Sequence, residues 1–122
     1  MNQLSAIATT ALLLAYSGAA GQAPKTGATP SGNAQNGKRI YVSYGCYQCH
    51  GREGQGSAAT GPRIGPRPIP FQVFLQYVRQ PAGQMPPYTG KIVSDSELAD
   101  IYAFLQARPQ PPAVKNIPLL SN

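Results

Sequence analysis

The sequence predicts an all-α domain of about three main helices joined by long loops. Three stretches repeat apolar residues at helical spacing. A capping box marks the start of the last of them. The remaining stretches hold most of the 13 glycines and 13 prolines, which consign them to turn and loop. At 122 residues one domain is expected, and a domain this small with this much loop has a limited apolar core.

The first helix is expected from about Ala34 to about Gly45, where Gly37, Ile40, Tyr41 and Tyr44 share one face. Gly37 thins that face at one turn and leaves room for another helix to approach. Gly51 to Pro70 is rich in Gly and Pro and nearly without period, so it reads as an irregular loop; a loop of that length in a compact domain points to function. The second helix begins at Pro70 or Phe71, carries Phe71, Phe74, Leu75 and Val78 on one face, and ends at Pro81. A stiff segment, Ala82 to Tyr88, follows. The third helix starts at Ser94-Asp95-Ser96-Glu97, where the Ser94 side chain can bond the Glu97 N–H and Glu97 can reach back. Val93 and Leu98 are spaced as a hydrophobic staple. Leu98, Ile101, Tyr102 and Leu105 form its buried face, and Pro109, Pro111 and Pro112 stop it.

The apolar run from Ala6 to Tyr16, followed by small residues, is too short for an ordinary bilayer span and reads as the core of a secretory signal peptide over 1–23. Its flank carries no Lys or Arg, so the α-amino group alone supplies positive charge; an uncleaved anchor is the alternative. Residues 24–33 read as a flexible leader, 34–107 as the folded domain and 108–122 as an extended, poorly ordered Pro-rich tail. Every charged side chain lies beyond position 23, so export leaves the net charge at +6. A basic surface calls for an acidic partner. The charges are scattered singly, which excludes nucleic acid as a partner, and no stable membrane span is expected.

Cys46-Tyr47-Gln48-Cys49-His50 is the C-x-x-C-H pattern of covalent haem attachment. Thiols at i and i+3 share a helical face, where they can add to the two vinyl groups of one haem c, and His50 follows to reach the iron. A structural disulfide would explain the cysteines but not the histidine. A structural zinc site needs about four protein ligands, and the chain has two Cys and one His. The second axial ligand follows by elimination. His50 is the only His, and of the two Met, Met1 leaves with the signal peptide. Met85 is then the remaining strong ligand, and Pro86 and Pro87 stiffen its loop. The alternative is that Met85 fills a gap in the core and the iron is five-coordinate or Lys-bound. Thioether ligation raises the reduction potential.

With these motifs the chain resembles the class I, monohaem cytochromes c over roughly residues 35 to 107. Gly37-Lys38-Arg39-Ile40-Tyr41 is similar to that family's N-terminal helix, Cys46 to His50 to its haem motif, and Leu98 to Leu105 to its C-terminal helix. Met85-Pro86-Pro87-Tyr88 resembles its methionine loop. The resemblance implies the small class I fold wrapped round one haem, with the first and last helices crossing near Gly37 and Tyr102. It also implies that the carbonyl of Pro62, in Gly61-Pro62, accepts a hydrogen bond from the ligand His50. Two departures stand out: Gly45 looks inserted before Cys46, and there is no Trp to bond a haem propionate, a place for which Arg63, Arg67 and Tyr88 are the candidates.

An iron held by His50 and Met85 has no open position, so no catalytic residue is expected and outer-sphere electron transfer remains. The expected protein is a periplasmic carrier or the electron-accepting subunit of a periplasmic dehydrogenase, with that dehydrogenase or a terminal oxidase as partner. With the propionates its charge is roughly +4, and Arg52 and Arg63, flanking the haem segment, are the first choices for steering. The other class is a haem peroxidase or gas sensor with a labile sixth ligand; it normally needs a second catalytic group, and there is no second His.

Overall fold

The computed structural model describes residues 29–120. The predicted signal peptide, and residues 24–28 of the leader, lie outside the described residues. The chain is all-α, as its periodicity requires: α1 (Ala34–Ser43), α2 (Tyr47–His50), α3 (Phe71–Arg79) and α4 (Asp95–Gln106), then two 3-10 turns at Val114–Asn116 and Pro118–Leu120. Among the described residues there is no strand, and one isolated bridge pairs Ser57 with Gly61. No helix among them is long and apolar enough to cross a membrane.

The frame is the crossing of α1 with α4. Gly37 makes it possible: a Cβ there would stand 1.9 Å from the Asp100 carbonyl oxygen, so the two backbones touch where any side chain would part them. The contact falls on Asp100 and Ile101, directly before the Tyr102 near which the resemblance placed the crossing. Asn33 caps α1 by accepting from the Asn36 N–H at 2.9 Å. Its own N–H donates to Asp100 Oδ1 at 2.6 Å, so Asn33, assigned by composition to the flexible leader, is tied to α4. At the other crossing partner the predicted capping box is complete: the Ser94 side chain accepts from the Glu97 N–H, and the Glu97 carboxylate accepts from the Ser94 N–H.

The core lies between these helices and α3. Leu98, Ile101, Tyr102 and Leu105 are buried on α4, as their spacing predicts, and so are Ala99 and Phe104. Phe104 is fully covered because α1 lies on its side of the helix: its ring meets that of Tyr41 at 5.2 Å. Each large side chain buried this way contributes roughly 1.5–3 kcal/mol. From α3 come Phe71, Phe74 and Val78, with Phe71 and Phe74 at 5.2 and 5.4 Å from the Tyr102 ring. Leu75, on the same predicted face, is half-buried against this core.

Two expectations are corrected. The first helix does not run on to Gly45. It closes at Ser43, Gly45 turns the chain with φ 76°, and α2 resumes at Tyr47, so the inserted glycine becomes a left-handed joint before the cysteines. The tail is not simply extended: beyond Pro112 it coils into the two 3-10 turns, although Val114 and Leu119 remain exposed.

Candidate functional site

The joint at Gly45 starts a second helical turn whose first residues are the motif. Cys46 is the N-cap of α2, and the His50 N–H donates to its carbonyl at 3.1 Å, so the motif is one i, i+4 helical turn. From Gly51 the irregular loop doubles back over this turn. The Gly56 N–H donates to the His50 carbonyl at 2.8 Å, and the Thr60 hydroxyl donates to the Cys49 carbonyl at 2.8 Å. Gly61 then passes so close that a Cβ would lie 3.0 Å from the Cys49 oxygen and 3.2 Å from His50 Nδ1. That approach carries the Pro62 carbonyl to 2.8 Å from His50 Nδ1. A carbonyl only accepts, so Nδ1 carries the proton and Nε2 keeps its lone pair.

On its other side the motif opens on a cavity of about 310 Å³, within the range of small-molecule sites. Cys46, His50, Pro62 and Met85 all line it; Cys49, on the same turn as Cys46, is exposed and stands outside the lining. The rest of the wall is apolar, with Phe74, Val78, Val93, Leu98 and Ile101 of the core and Ile64 of the loop. No carboxylate lines it, and the charges on its wall are Arg63 and Arg67. The cavity therefore opens directly off the apolar core.

Met85 is brought there from 35 positions along the chain by a segment with no helix of its own. The segment is fastened at Tyr88. Its N–H donates to the Val78 carbonyl at 3.0 Å, its hydroxyl donates to the Tyr44 carbonyl at 2.9 Å, and its carbonyl accepts from Arg79 at 2.6 Å. The same Arg79 guanidinium pairs with Asp95 at 2.5 Å. A second clamp lies behind the motif, where Glu53 pairs with both Lys38 of α1 and Arg108 beyond α4.

Burial pushes the Cys46 thiol up to about 11, which favours its protonated form over the thiolate at neutral pH. Burial likewise raises the Tyr41 phenol above its ordinary range, and its hydroxyl donates to the Gly51 carbonyl at 2.8 Å. Tyr41 thus serves as a neutral fixed strut. Of the three candidates for a propionate contact, Tyr88 has its donor committed to Tyr44, whereas Arg63 and Arg67 remain. The bonds made by Thr60, Arg79 and the Tyr41 hydroxyl carry no signal in the sequence, because each reaches a backbone carbonyl of another segment.

This donor set suits one kind of group: flat, largely apolar, and bearing a metal that takes an imidazole nitrogen and a thioether sulfur. Among the described residues no three His, Cys, Asp or Glu side chains gather to hold a bare metal ion. A family model described as cytochrome c oxidase, cbb3-type, subunit III matches residues 32–105, from the cap of α1 to the last buried turn of α4. No curated protein and no solved structure matches the chain.

Proposed function

The chain belongs to the cytochrome c oxidase, cbb3-type, subunit III family, and on that premise we propose a monohaem electron-transfer protein in which Cys46 and Cys49 attach haem c while His50 and Met85 are the axial iron ligands. Membership carries covalently bound haem c and a role in haem-based electron transfer. The observation that supports the residue assignment is the convergence of Cys46, His50 and Met85, from segments far apart in sequence, on one apolar cavity. Bound haem c supplies one-electron exchange at its iron.

The chain's own groups set how that exchange proceeds. His50 presents Nε2 in one tautomer and one orientation because Pro62 holds Nδ1–H. Met85 presents sulfur from a segment stiffened by Pro86 and Pro87 and fastened at Tyr88. Core side chains give the cavity an apolar wall, a setting of low polarity that would tune the potential of the bound group. With His50 and Met85 both holding the iron, the chain would leave the bound group no place for a substrate, and the chemistry supplied there would be one-electron relay.

We further propose that it works outside the cytoplasm, where haem c is attached, and exchanges electrons with an acidic face of a terminal-oxidase assembly. The family's description as an oxidase subunit supports that partner above a dehydrogenase. The net charge of +6 supports its sign.

Two measurements test the assignment. Haem should remain with the denatured chain through acid–acetone extraction and come free when both Cys46 and Cys49 are changed to Ala. Met85→Ala should abolish the weak long-wavelength charge-transfer band of the oxidised protein, lower its potential, and let the reduced protein bind carbon monoxide at neutral pH. Ready carbon monoxide binding by the unaltered protein would overturn Met85 as the ligand.

A further inference from the structure

The four carboxylates of this chain are all committed away from the cavity. Glu53 pairs with Lys38 and Arg108, and Asp95 with Arg79. Glu97 closes the capping box, and Asp100 accepts from Asn33 and Asn36. Most of the basic side chains near these elements are committed as well. Arg39 donates to the Asn36 side chain at 2.7 Å, and the Arg52 guanidinium lies 5.1 Å from the Tyr47 ring centroid. Arg63 and Arg67 differ. Both residues line the cavity, both are exposed at its edge, and neither makes a side-chain hydrogen bond, ion pair or ring contact among the described residues.

Two free guanidiniums on the wall of an apolar cavity without a carboxylate are a binding device for a dianion. Each offers a planar fork matched to a carboxylate, and beside apolar walls the pairing is stronger than on open surface. Their backbone is also restrained: Pro62 precedes Arg63, and Arg67 sits between Pro66 and Pro68, which holds it extended. Less freedom is then lost when the side chains engage a ligand.

We propose that Arg63 and Arg67 pair with the two propionate carboxylates of haem c, and that they serve the cofactor and not the docking of a protein partner. This rests on the haem-binding reading above, and it separates two residues that flank the motif in sequence. Arg63 belongs to the cavity, whereas Arg52, on Tyr47 and outside the lining, remains a surface charge.

The test uses the full-length holoprotein with R63Q, R67Q, R63Q/R67Q, R63K/R67K and R52Q. Reduction potentials are measured by spectroelectrochemistry and propionate carboxylate bands by redox-difference infrared spectroscopy. Both Gln singles should shift the carboxylate bands and lower the potential, and the double variant should do so by about the sum. The Lys pair should recover most of the potential, and R52Q should leave both readouts at their original values. If the double variant yields no holoprotein, the two singles decide alone. Unmoved carboxylate bands in R63Q and R67Q overturn the proposal. So does a change confined to the salt dependence of electron exchange, which would make them steering charges. Failure of the haem-binding reading itself shows separately, as haem extracted by acid–acetone from the unaltered protein.

Discussion

The two segments that deliver His50 and Met85 to the cavity are built on opposite plans. The His50 segment is cross-braced along its length: Gly56 to the His50 carbonyl, Thr60 to the Cys49 carbonyl, Pro62 to His50 Nδ1, and Ile64 and Gly65 back to the Gly54 carbonyl. The Met85 segment is a strap. Between Gln80 and Tyr88 its backbone makes no backbone hydrogen bond with the rest of the fold, Gly83 faces open space, and prolines supply the stiffness that bonding supplies elsewhere. His50 is fixed by enclosure and Met85 by limited conformational freedom. The contrast teaches that the imidazole is placed as firmly as the fold, while the place of the Met85 thioether depends on the fastening at Tyr88.

The largest effect should come from attacking what both segments share. Gly37→Val forces a branched side chain into the Asp100 carbonyl and parts α1 from α4. It should cost upward of about 3 kcal/mol, with both segments lost together and no soluble holoprotein recovered. Next is Gly61→Val, which drives into the Cys49 oxygen and His50 Nδ1. A cost of about 1–3 kcal/mol is expected, read as a lower thermal midpoint with a raised potential, because disturbing the Pro62 bond leaves the His50 imidazole less basic. The matching change on the strap, Gly83→Ala, meets no atom within 4 Å and carries only the strain of φ 73°, about 1 kcal/mol. Equal losses at Gly61 and Gly83 would erase the distinction between enclosure and strap.

Tyr88→Phe sharpens the comparison further. It removes the hydroxyl that donates to the Tyr44 carbonyl, at a cost of about 1 kcal/mol. Carbon monoxide should then bind the reduced protein several-fold faster, while the His50 segment keeps its protection from hydrogen exchange. Acid should do the reverse. Donation from Arg108 holds Glu53 below its ordinary range, donation from the Ser94 N–H does so for Glu97, and donation from the Asn33 N–H for Asp100. Each depressed carboxyl contributes stability that is complete above its ordinary value and is lost as the pH falls through the lower folded one. Their ordinary values are 4.5 for the two Glu and 3.8 for Asp100. The thermal midpoint should therefore be flat near neutrality and drop below about pH 4.5, by a modest amount since Glu53 is exposed and Glu97 and Asp100 are only partly covered. Glu53→Gln should flatten part of that drop.

What was legible in the sequence follows the same division between local and distant. The capping box at Ser94 and Glu97, the i, i+3, i+4 faces of α1, α3 and α4, and the motif at Cys46 to His50 are each written in consecutive residues, and each stands in the fold where its spacing puts it. Met85 was found by elimination among residue types, a chemical route that needs no geometry. The burial of Phe104 was not legible, because the side of α4 that carries it is covered by Tyr41 from sixty residues away. Neither was the clamp of Glu53 on Arg108, nor the tie of Asn33 to Asp100. Short polar side chains look the same in a leader as in a cap until the partner arrives.

Arg79 has a consequence for how this domain tolerates change. By holding the Tyr88 carbonyl and Asp95 together, it divides the connection between α3 and α4 into two independent loops, 80–88 and 89–94. The closure cost of a loop grows only with the logarithm of its length, about 0.6 kcal/mol per doubling. Extra residues between Thr89 and Ile92 would break the turn in which the Ile92 and Val93 N–H groups donate to the Thr89 carbonyl, but add little closure cost beyond that and leave the position of Met85 untouched. The same residues inserted beside Gly83 would lengthen the span that sets the reach of the sulfur. Across related chains, length should vary freely on the far side of Tyr88 and hardly at all on the near side.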